Sequence, residues 1–191
     1  MNREVPVENN VYYYIYNRGN NRRRIFGDDL DYNAFIKKMK SLAEKYAVDV
    51  PVYTLMPNHF HLIAKQVSSI EDHLHPCKNK VEGDLHLLPR LSRMIGALQT
   101  SAAKRYNLRY SHIGHLFQGP FRYKPVSENS LWDVACYIHL NPVKAKLVKT
   151  PDKWLYSNYI EFLDKKKETF ILDCWQDYKD YLQEILKNEH T

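Results

Sequence analysis

Residues 50–65 read VPVYTLMPNHFHLIAK, two apolar runs separated by a proline and an asparagine. Runs of β-branched and aromatic residues are typical of strands, and Pro57-Asn58 is suited to a turn or a break between two of them. We therefore predict consecutive strands over Val50 to Met56 and His59 to Lys65. The elements on either side of this pair determine the fold class.

A strand, a turn and a helix precede this pair along the chain. Val11 to Asn17 is β-branched and aromatic, and Gly19-Asn20-Asn21 follows as a turn. From Asp29 onward, apolar residues recur at helical spacing. An amphipathic helix, Leu88 to Tyr106, and an extended segment, His115 to Val126, follow the pair. The order strand, helix, strand, strand, helix, strand predicts an α+β fold, a ferredoxin-like split βαβ antiparallel sheet with helices on one face.

The remaining segments complete the predicted organisation. Ser130 to Asp133 resembles a capping box at the start of a short helix, and Pro142 is expected to end that helix. Residues 66–88 are polar and without clean periodicity, which predicts an excursion from the domain surface. We expect one domain over residues 1–150 and a C-terminal helical extension over residues 151–191, where apolar residues again recur at helical spacing.

The composition favours a soluble globular protein with a basic surface. Of the 191 residues, 44% are hydrophobic and 26% are charged, which excludes collagen-like and disordered classes. No run approaches the roughly 18 apolar residues that span a bilayer, so we expect a cytoplasmic protein without a membrane partner. The formal net charge of +6 favours a polyanionic partner. Three widely spaced cysteines, Cys77, Cys136 and Cys174, suggest neither a disulfide framework nor a CxxC zinc site.

His59-Phe60-His61 places two imidazoles on the same side of a predicted strand, because strand side chains repeat every two positions. Phe60 then points into the core between them. Neutral imidazoles bind divalent ions, and coordination positions left open for substrate oxygens would make such a site catalytic. The same pattern also occurs as solvent-facing or hydrogen-bonded histidines, so by itself it allows both interpretations.

Tyr137 and Asn141 lie four positions apart in the predicted short helix and therefore project from one face. A phenol and an amide oxygen are thus paired, while the adjacent Ile138 points to the core. A tyrosine on an amphipathic helix is also a common packing residue. His139 falls on roughly the opposite side of the helix, so we do not expect it to act as a base for Tyr137.

Basic and aromatic residues cluster at the first predicted turn and on the last predicted strand. They form either a solvated surface or an edge that binds phosphates and stacks unpaired bases. The residues are Arg18, Arg22, Arg23 and Arg24 at the turn and Arg122, Tyr123 and Lys124 on the strand.

The excursion over residues 66–88 contains three histidines and a cysteine, which are the residue types of a zinc site. Their spacing matches no usual zinc pattern, so a solvated loop is the preferred interpretation. The residues are His73, His75, Cys77 and His86.

Four motifs taken together resemble those of the single-tyrosine HUH transposases, and among them the REP-associated tyrosine transposases. Each motif alone is weak, but their order and spacing are jointly specific. The resemblance extends from about Tyr12 to Tyr159. The motifs are Asn17 to Arg22 with Phe26, Met56 to Ile63, His115 to Gly119, and Tyr137-Ile138 followed by Asn141-Pro142.

The resemblance implies a ferredoxin-like catalytic domain that cuts and rejoins single-stranded DNA beside a short hairpin. Tyr137 would be the nucleophile that forms a 5′-phosphotyrosine intermediate. His59 and His61 would bind Mg²⁺ or Mn²⁺, with Asn141 as a third ligand at a position where many relatives carry glutamine. A homodimer and association with the nucleoid through bound DNA are further expectations. The implied DNA-binding residues are Arg18, Asn20, Asn21, Arg22, Arg23, Arg24, Arg122 and Lys124.

Two alternatives from other functional classes stay open at this point. The first is a module that binds hairpin nucleic acid and has lost cleavage. The second is a ferredoxin-like RNA-binding module, which would present exposed aromatic residues on its sheet. The sequence contains no RNP-type pattern that would favour this second alternative.

Overall fold

A four-stranded antiparallel sheet forms the centre of the structure, a computed structural model that describes residues 7–67 and 89–163. Its strands lie in the order β2-β3-β1-β4, and each neighbouring pair is antiparallel. The first strand lies between the third and the fourth, which confirms the predicted split βαβ sheet. The strands are β1 (Tyr12–Arg18), β2 (Val48–Met56), β3 (His59–Gln66) and β4 (Arg122–Val126).

Four helices accompany the sheet within the described residues, and they lie on both of its faces. The two crossover helices pack on one face, as predicted, in a core with residues such as Ile15 and Leu62. The third helix packs on the opposite face, because Tyr12, Val52 and Ile63 make that face apolar too. The helices are α1 (Asp29–Tyr46), α2 (Arg90–Arg109), α3 (Leu131–Lys144) and the short α4 (Tyr159–Leu163).

Helix α1 begins where an aspartate caps it. The Asp28 carboxylate accepts hydrogen bonds from the N–H groups of Leu30 and Asp31, at 3.1 and 3.3 Å. The same carboxylate pairs with Arg109 in the last turn of α2, and this guanidinium holds the pKa of Asp28 below its usual value. Asp31 also accepts from Arg109, at 2.7 Å. The start of α1 and the end of α2 are therefore joined by paired charges.

Helix α3 begins at Leu131, directly after Ser130, as the sequence predicts, but the predicted side-chain cap is absent and the predicted end at Pro142 is wrong. Ser130 has helical dihedral angles and makes no side-chain cap, because a single 3₁₀ turn leads directly into the helix. Its Oγ instead accepts from Ser127, at 2.9 Å. Pro142 lies inside the helix and does not end it; the next turn is closed by the N–H of Ala145, which donates to the carbonyl of Asn141 at 2.9 Å. The ring of Pro142 is buried, and because proline has no N–H the helix lacks one of its i→i−4 hydrogen bonds at this point.

The segment predicted as extended from His115 to Val126 forms a regular strand only over Arg122–Val126. Its earlier part pairs with the end of β1 through a bridge between Gly19 and Phe117. Gly119 then adopts a φ of +74°, a conformation that favours glycine, and redirects the chain toward β4. This loop therefore lies beside the end of β1, next to the predicted basic turn.

Residues 151–163 attach the end of the described chain to strand β2. Asn158 accepts a hydrogen bond at Oδ1 from the N–H of Tyr53, at 2.8 Å, and donates through Nδ2 to the carbonyl of Pro51, at 2.5 Å. Burial lowers the pKa of His139 to about 4, so its ring is neutral and its Nε2 donates to the same Asn158 oxygen at 3.0 Å. His139 is a core residue, in agreement with its exclusion as a base for Tyr137.

Replacing Asn158 by alanine is expected to lower the free energy of unfolding by about 2–4 kcal/mol, because buried partners on two elements lose their hydrogen bonds. Urea denaturation of wild type and variant measures the difference. Asn33→Ala, at an exposed position of α1, is the matched control and is expected to change stability by less than about 0.5 kcal/mol. Equal effects of the two substitutions would contradict the structural role of Asn158.

Some predicted features lie outside the described residues. They include most of the excursion over 66–88, with its possible zinc ligands, and the helical pattern after residue 163. None of the helices in residues 7–67 and 89–163 combines the length and the apolar character needed to cross a membrane. The possible zinc ligands that lie outside the described residues are His73, His75, Cys77 and His86.

Candidate active site

A cleft of about 540 Å³ opens on the sheet face that carries α3. It brings together the two histidines of β3 with the tyrosine and the asparagine that the sequence paired on a helix. Basic and polar side chains from β1, the turn after it, and the loop before β4 complete the wall. The lining residues are Tyr16, Asn17, Arg18, Arg22, Asn58, His59, His61, Gln118, Arg122, Tyr137 and Asn141.

Strand periodicity places the two imidazoles in this cleft. Phe60 is fully buried on the opposite face, while the rings of His59 and His61 lie 4.8 Å apart, edge to face. The ring of Tyr137 lies 5.7 Å from that of His61, and the side chain of Asn141 hydrogen-bonds His59. All four residues belong to one chain and line the same cleft.

Each imidazole uses its Nδ1 atom for a hydrogen bond on the protein side. His59 donates from Nδ1 to Oδ1 of Asn58, at 2.6 Å. The Nδ1 atom of His61 lies 2.7 Å from the hydroxyl oxygen of Tyr14. In His61, Nε2 is therefore the nitrogen available to a ligand, and hydrogen bonding at the other nitrogen is typical of metal-binding histidines.

Burial keeps both imidazoles neutral. It lowers the pKa of His61 to about 3, with a further contribution from His59, and it also lowers the pKa of His59. A neutral imidazole retains the lone pair that a metal ion requires. The residues therefore fit a divalent ion held by two imidazoles and the amide oxygen of Asn141, with substrate oxygens completing the shell. Within residues 7–67 and 89–163, no group of three His, Cys, Asp or Glu side chains offers another metal site.

Tyr137 is the most accessible of the four, with 44% of its surface exposed, whereas His61 is 6% exposed. The hydroxyl of Tyr137 hydrogen-bonds Tyr14, and their rings meet edge to face with centroids 6.2 Å apart. Burial, followed by the interaction with Tyr137, raises the pKa of Tyr14 above its usual value. Tyr137 is thus placed to reach a bound molecule while its oxygen stays connected to the histidine site.

Three of the predicted DNA-binding arginines line the same cleft. Arg18 at the end of β1 is held by a hydrogen bond from Nε to Gln118, and Arg22 and Arg122 lie on the same wall. The turn between Arg18 and Arg22 requires a glycine, because a Cβ atom on Gly19 would lie 2.2 Å from a backbone carbonyl oxygen. Guanidinium groups in this position suit a phosphate backbone.

The other predicted DNA-binding residues lie outside the cleft. Arg23 contacts the ring of His112 and is half-buried. Lys124 lies opposite Tyr14 in the β1–β4 pairing and lines a neighbouring cavity. The backbone N–H of Asn20 donates to the loop before β4, at 2.8 Å, and Asn21 is exposed with a φ of 52°. Arg24 is exposed as well. DNA binding stays a prediction for these five residues and for the three cleft arginines alike.

Tyr14 and Tyr16 lie beside the histidine site and are not among the site residues predicted from the sequence. Both lie on the face of β1 that carries the cleft, because strand side chains alternate. Tyr16 is the register partner of His61, and the rings of Tyr14 and Tyr16 are stacked with centroids 5.1 Å apart. The signal that would have found them is the alternation of tyrosines at positions 12, 14 and 16 in a strand that pairs with β3.

The sheet is ferredoxin-like and carries an HxH pair on a central strand, facing a tyrosine and an asparagine from a helix. This is the architecture that the resemblance to the single-tyrosine HUH transposases implies. A solved structure described as a REP-associated tyrosine transposase bound to a REP hairpin is similar in fold, with a TM-score of 0.59. The two chains are 13% identical, and the similarity covers 88% of each. This similarity shows that the two chains share a fold.

Two further solved structures overlap less well with this chain. One, from Deinococcus radiodurans R1, is provisionally described as a transposase; it has a TM-score of 0.42 and 14% identity, over 72% of this chain and 95% of that one. The other is the tRNA(His) guanylyltransferase of Saccharomyces cerevisiae, with a TM-score of 0.48 and 12% identity. The overlap covers 95% of this chain and 75% of that one. No protein-family profile matches the sequence, and no curated protein is significantly similar to it.

Proposed function

We propose that this protein is a metal-dependent single-stranded DNA endonuclease and strand transferase that acts beside DNA hairpins. The observation that carries the proposal is the meeting of Tyr137, His59, His61 and Asn141 in one cleft. The fold similarity to a transposase solved with a REP hairpin supports hairpin DNA as the substrate class. Homodimer formation and nucleoid association stay predictions.

Tyr137 is the nucleophile of the proposed reaction. Its oxygen attacks the phosphorus of a DNA phosphodiester, the bond from phosphorus to the 3′ oxygen breaks, and the leaving oxygen takes a proton as a 3′ hydroxyl. The phenol loses its own proton in this step, and the product is a 5′-phosphotyrosine. Because one phosphodiester replaces another, a second 3′ hydroxyl reverses the step and joins strands without ATP.

The cleft supplies the groups that this transfer requires. Mg²⁺ or Mn²⁺, held by His59, His61 and Asn141, would polarise a phosphate oxygen as a Lewis acid. The cleft arginines orient the phosphate and balance its charge. Since the three ligands are neutral, we expect the protein alone to bind a hard ion weakly and the DNA complex to bind it more tightly.

Covalent capture tests the proposed function. Wild-type protein is incubated with Mn²⁺ and a pool of single-stranded oligonucleotides that carry a short hairpin and randomised flanks. A denaturing gel detects attached DNA, and mass spectrometry of the digested adduct identifies the modified residue. An adduct on Tyr137 that requires Mn²⁺ supports the proposal. Tight, salt-sensitive hairpin binding in chelator, without an adduct under any metal condition, overturns it in favour of the binding module.

Replacing Arg22 by alanine is expected to weaken the salt dependence of single-strand binding. A phosphate contact to a single strand contributes roughly −0.7 to the slope of log affinity against log salt, so its loss makes the slope less steep by that amount. Fluorescence anisotropy at several salt concentrations measures both slopes. Lys37→Ala, at an exposed position on α1 across the sheet, is the control and is expected to leave the slope unchanged. A slope unaffected by Arg22→Ala would favour a solvated turn.

A further inference from the structure

We propose that Tyr14 is a positioning residue that sets which nitrogen of His61 carries the proton and orients the hydroxyl of Tyr137. The proposal rests on the proposed function for its catalytic consequence. Its structural part concerns one hydroxyl group that contacts both a predicted ligand and the predicted nucleophile.

The side chain of Tyr14 is held against both partners. Its ring stacks on that of His61, with an interplanar angle of 15° and centroids 5.7 Å apart, and its hydroxyl oxygen lies 2.7 Å from Nδ1 of that histidine. The same hydroxyl hydrogen-bonds Tyr137, whose ring meets it edge to face. Tyr16 stacks on Tyr14 within 23° of parallel and limits the movement of its ring.

The two histidines differ in how their protonated nitrogen is determined. The Nδ1 atom of His59 faces the amide oxygen of Asn58, which only accepts, so this Nδ1 must carry the proton. The partner of His61 is a hydroxyl, which donates or accepts. The tautomer of His61 therefore depends on where the single proton of Tyr14 points.

The contact with Tyr137 decides that orientation. When the Tyr14 hydroxyl donates to the Tyr137 oxygen, its own oxygen accepts from Nδ1–H of His61, and the Nε2 lone pair is free for a ligand. When the hydroxyl instead donates to Nδ1, the proton of His61 sits on Nε2 and that nitrogen no longer ligates. Tyr14 thus connects the orientation of the nucleophile to the ligating state of the histidine.

The tautomer of His61 is measured by two-bond ¹H–¹⁵N spectra of the metal-free protein labelled at histidine nitrogen. We expect Nδ1–H in wild type and a shift toward Nε2–H in Tyr14→Phe, which retains the ring but lacks the hydroxyl. We also expect a shift toward Nε2–H in Tyr137→Phe, because the Tyr14 proton is then free to turn to Nδ1. A residue that served only for packing would not produce this second shift.

Tyr12→Phe is the matched control, because Tyr12 lies on the same face of β1 and its ring contacts Lys65. It is expected to change neither the tautomer of His61 nor the rate of adduct formation. Tyr14→Phe is expected to lower kcat by about tenfold or more with KM changed by less than about twofold, as for loss of an oriented contact in the transition state. Thermal melting and circular dichroism confirm that the variants fold.

The outcomes separate the two proposals. Nε2–H in the wild type, or Nδ1–H retained in both Tyr14→Phe and Tyr137→Phe, overturns the positioning role, whatever the activity. The expected tautomer shifts in a protein that forms no DNA adduct support the hydrogen-bond arrangement and overturn the proposed function. A normal kcat in Tyr14→Phe overturns the catalytic consequence.

Discussion

Tyr137→Phe is expected to abolish the covalent protein–DNA adduct and to reduce cleavage by at least about 10⁴-fold, as losses of covalent nucleophiles do. The substitution removes the only atom of the side chain that forms the bond to phosphorus and leaves the ring in place. Tyr137 is 44% exposed, so loss of its hydroxyl leaves no cavity in the core. Hairpin affinity is therefore expected to stay within about a few fold of wild type.

The measurement pairs a denaturing-gel assay for the adduct with anisotropy for binding. Tyr46→Phe, the same chemical change on α1 across the sheet, is the control and should retain full adduct formation. If Tyr137→Phe still cut DNA at the wild-type rate, water or another side chain would be the nucleophile. Products without a protein–DNA adduct would then identify a hydrolytic nuclease in place of a strand transferase.

Local periodicity explains which parts of the site could be predicted from the sequence. The two-residue repeat of a strand places His59 and His61 on one side and Phe60 on the other, and Phe60 is indeed fully buried. The helical repeat likewise places Tyr137 and Asn141 together, and both line the cleft. These arrangements depend only on backbone geometry within a few residues.

The approach of the Tyr137–Asn141 pair to the His59–His61 pair depends on contacts between distant parts of the chain. Helix α3 packs across β2 and β3 because Ala135 and Ile138 join Val52 and Ile63 on the second apolar face of the sheet. A pattern of apolar residues shows that a helix has a buried side, but it does not show which face of the sheet receives that side. The expectation that the tyrosine and the asparagine face the two histidines came from the family resemblance and not from periodicity.

Tyr14 was missed for the same reason. It belongs to a strand with tyrosines on both faces, and only the pairing of β1 with β3 shows that Tyr14 and Tyr16 face the histidines. Residue type alone predicted the start of α3 and misplaced its end. Ser130 directly precedes the first helical residue, although it continues a 3₁₀ turn and forms no side-chain cap, whereas Pro142 is accommodated within the helix.

His61→Ala is expected to lower metal-dependent cleavage on the order of 10³-fold, because the Lewis-acid contribution of a bound ion is several kcal/mol and each 1.36 kcal/mol is tenfold in rate. Hairpin affinity measured in chelator is expected to stay within about a few fold, since the cleft arginines remain. His112→Ala, outside the cleft, is the control. Because His61 is buried, its replacement could also destabilise the fold. Melting temperatures of wild type and variant distinguish loss of a metal ligand from loss of stability.

The dependence of the rate on Mn²⁺ concentration sharpens this prediction. Asn141→Ala leaves both imidazoles in place, so a higher Mn²⁺ concentration is expected to restore much of its cleavage. His61→Ala leaves one imidazole and one amide, so the same increase should restore little. Equal rescue of the two variants, or undiminished cleavage by His61→Ala, would show that the imidazoles do not form the metal site. The order of rescue therefore tests the roles of the ligands separately from that of the nucleophile.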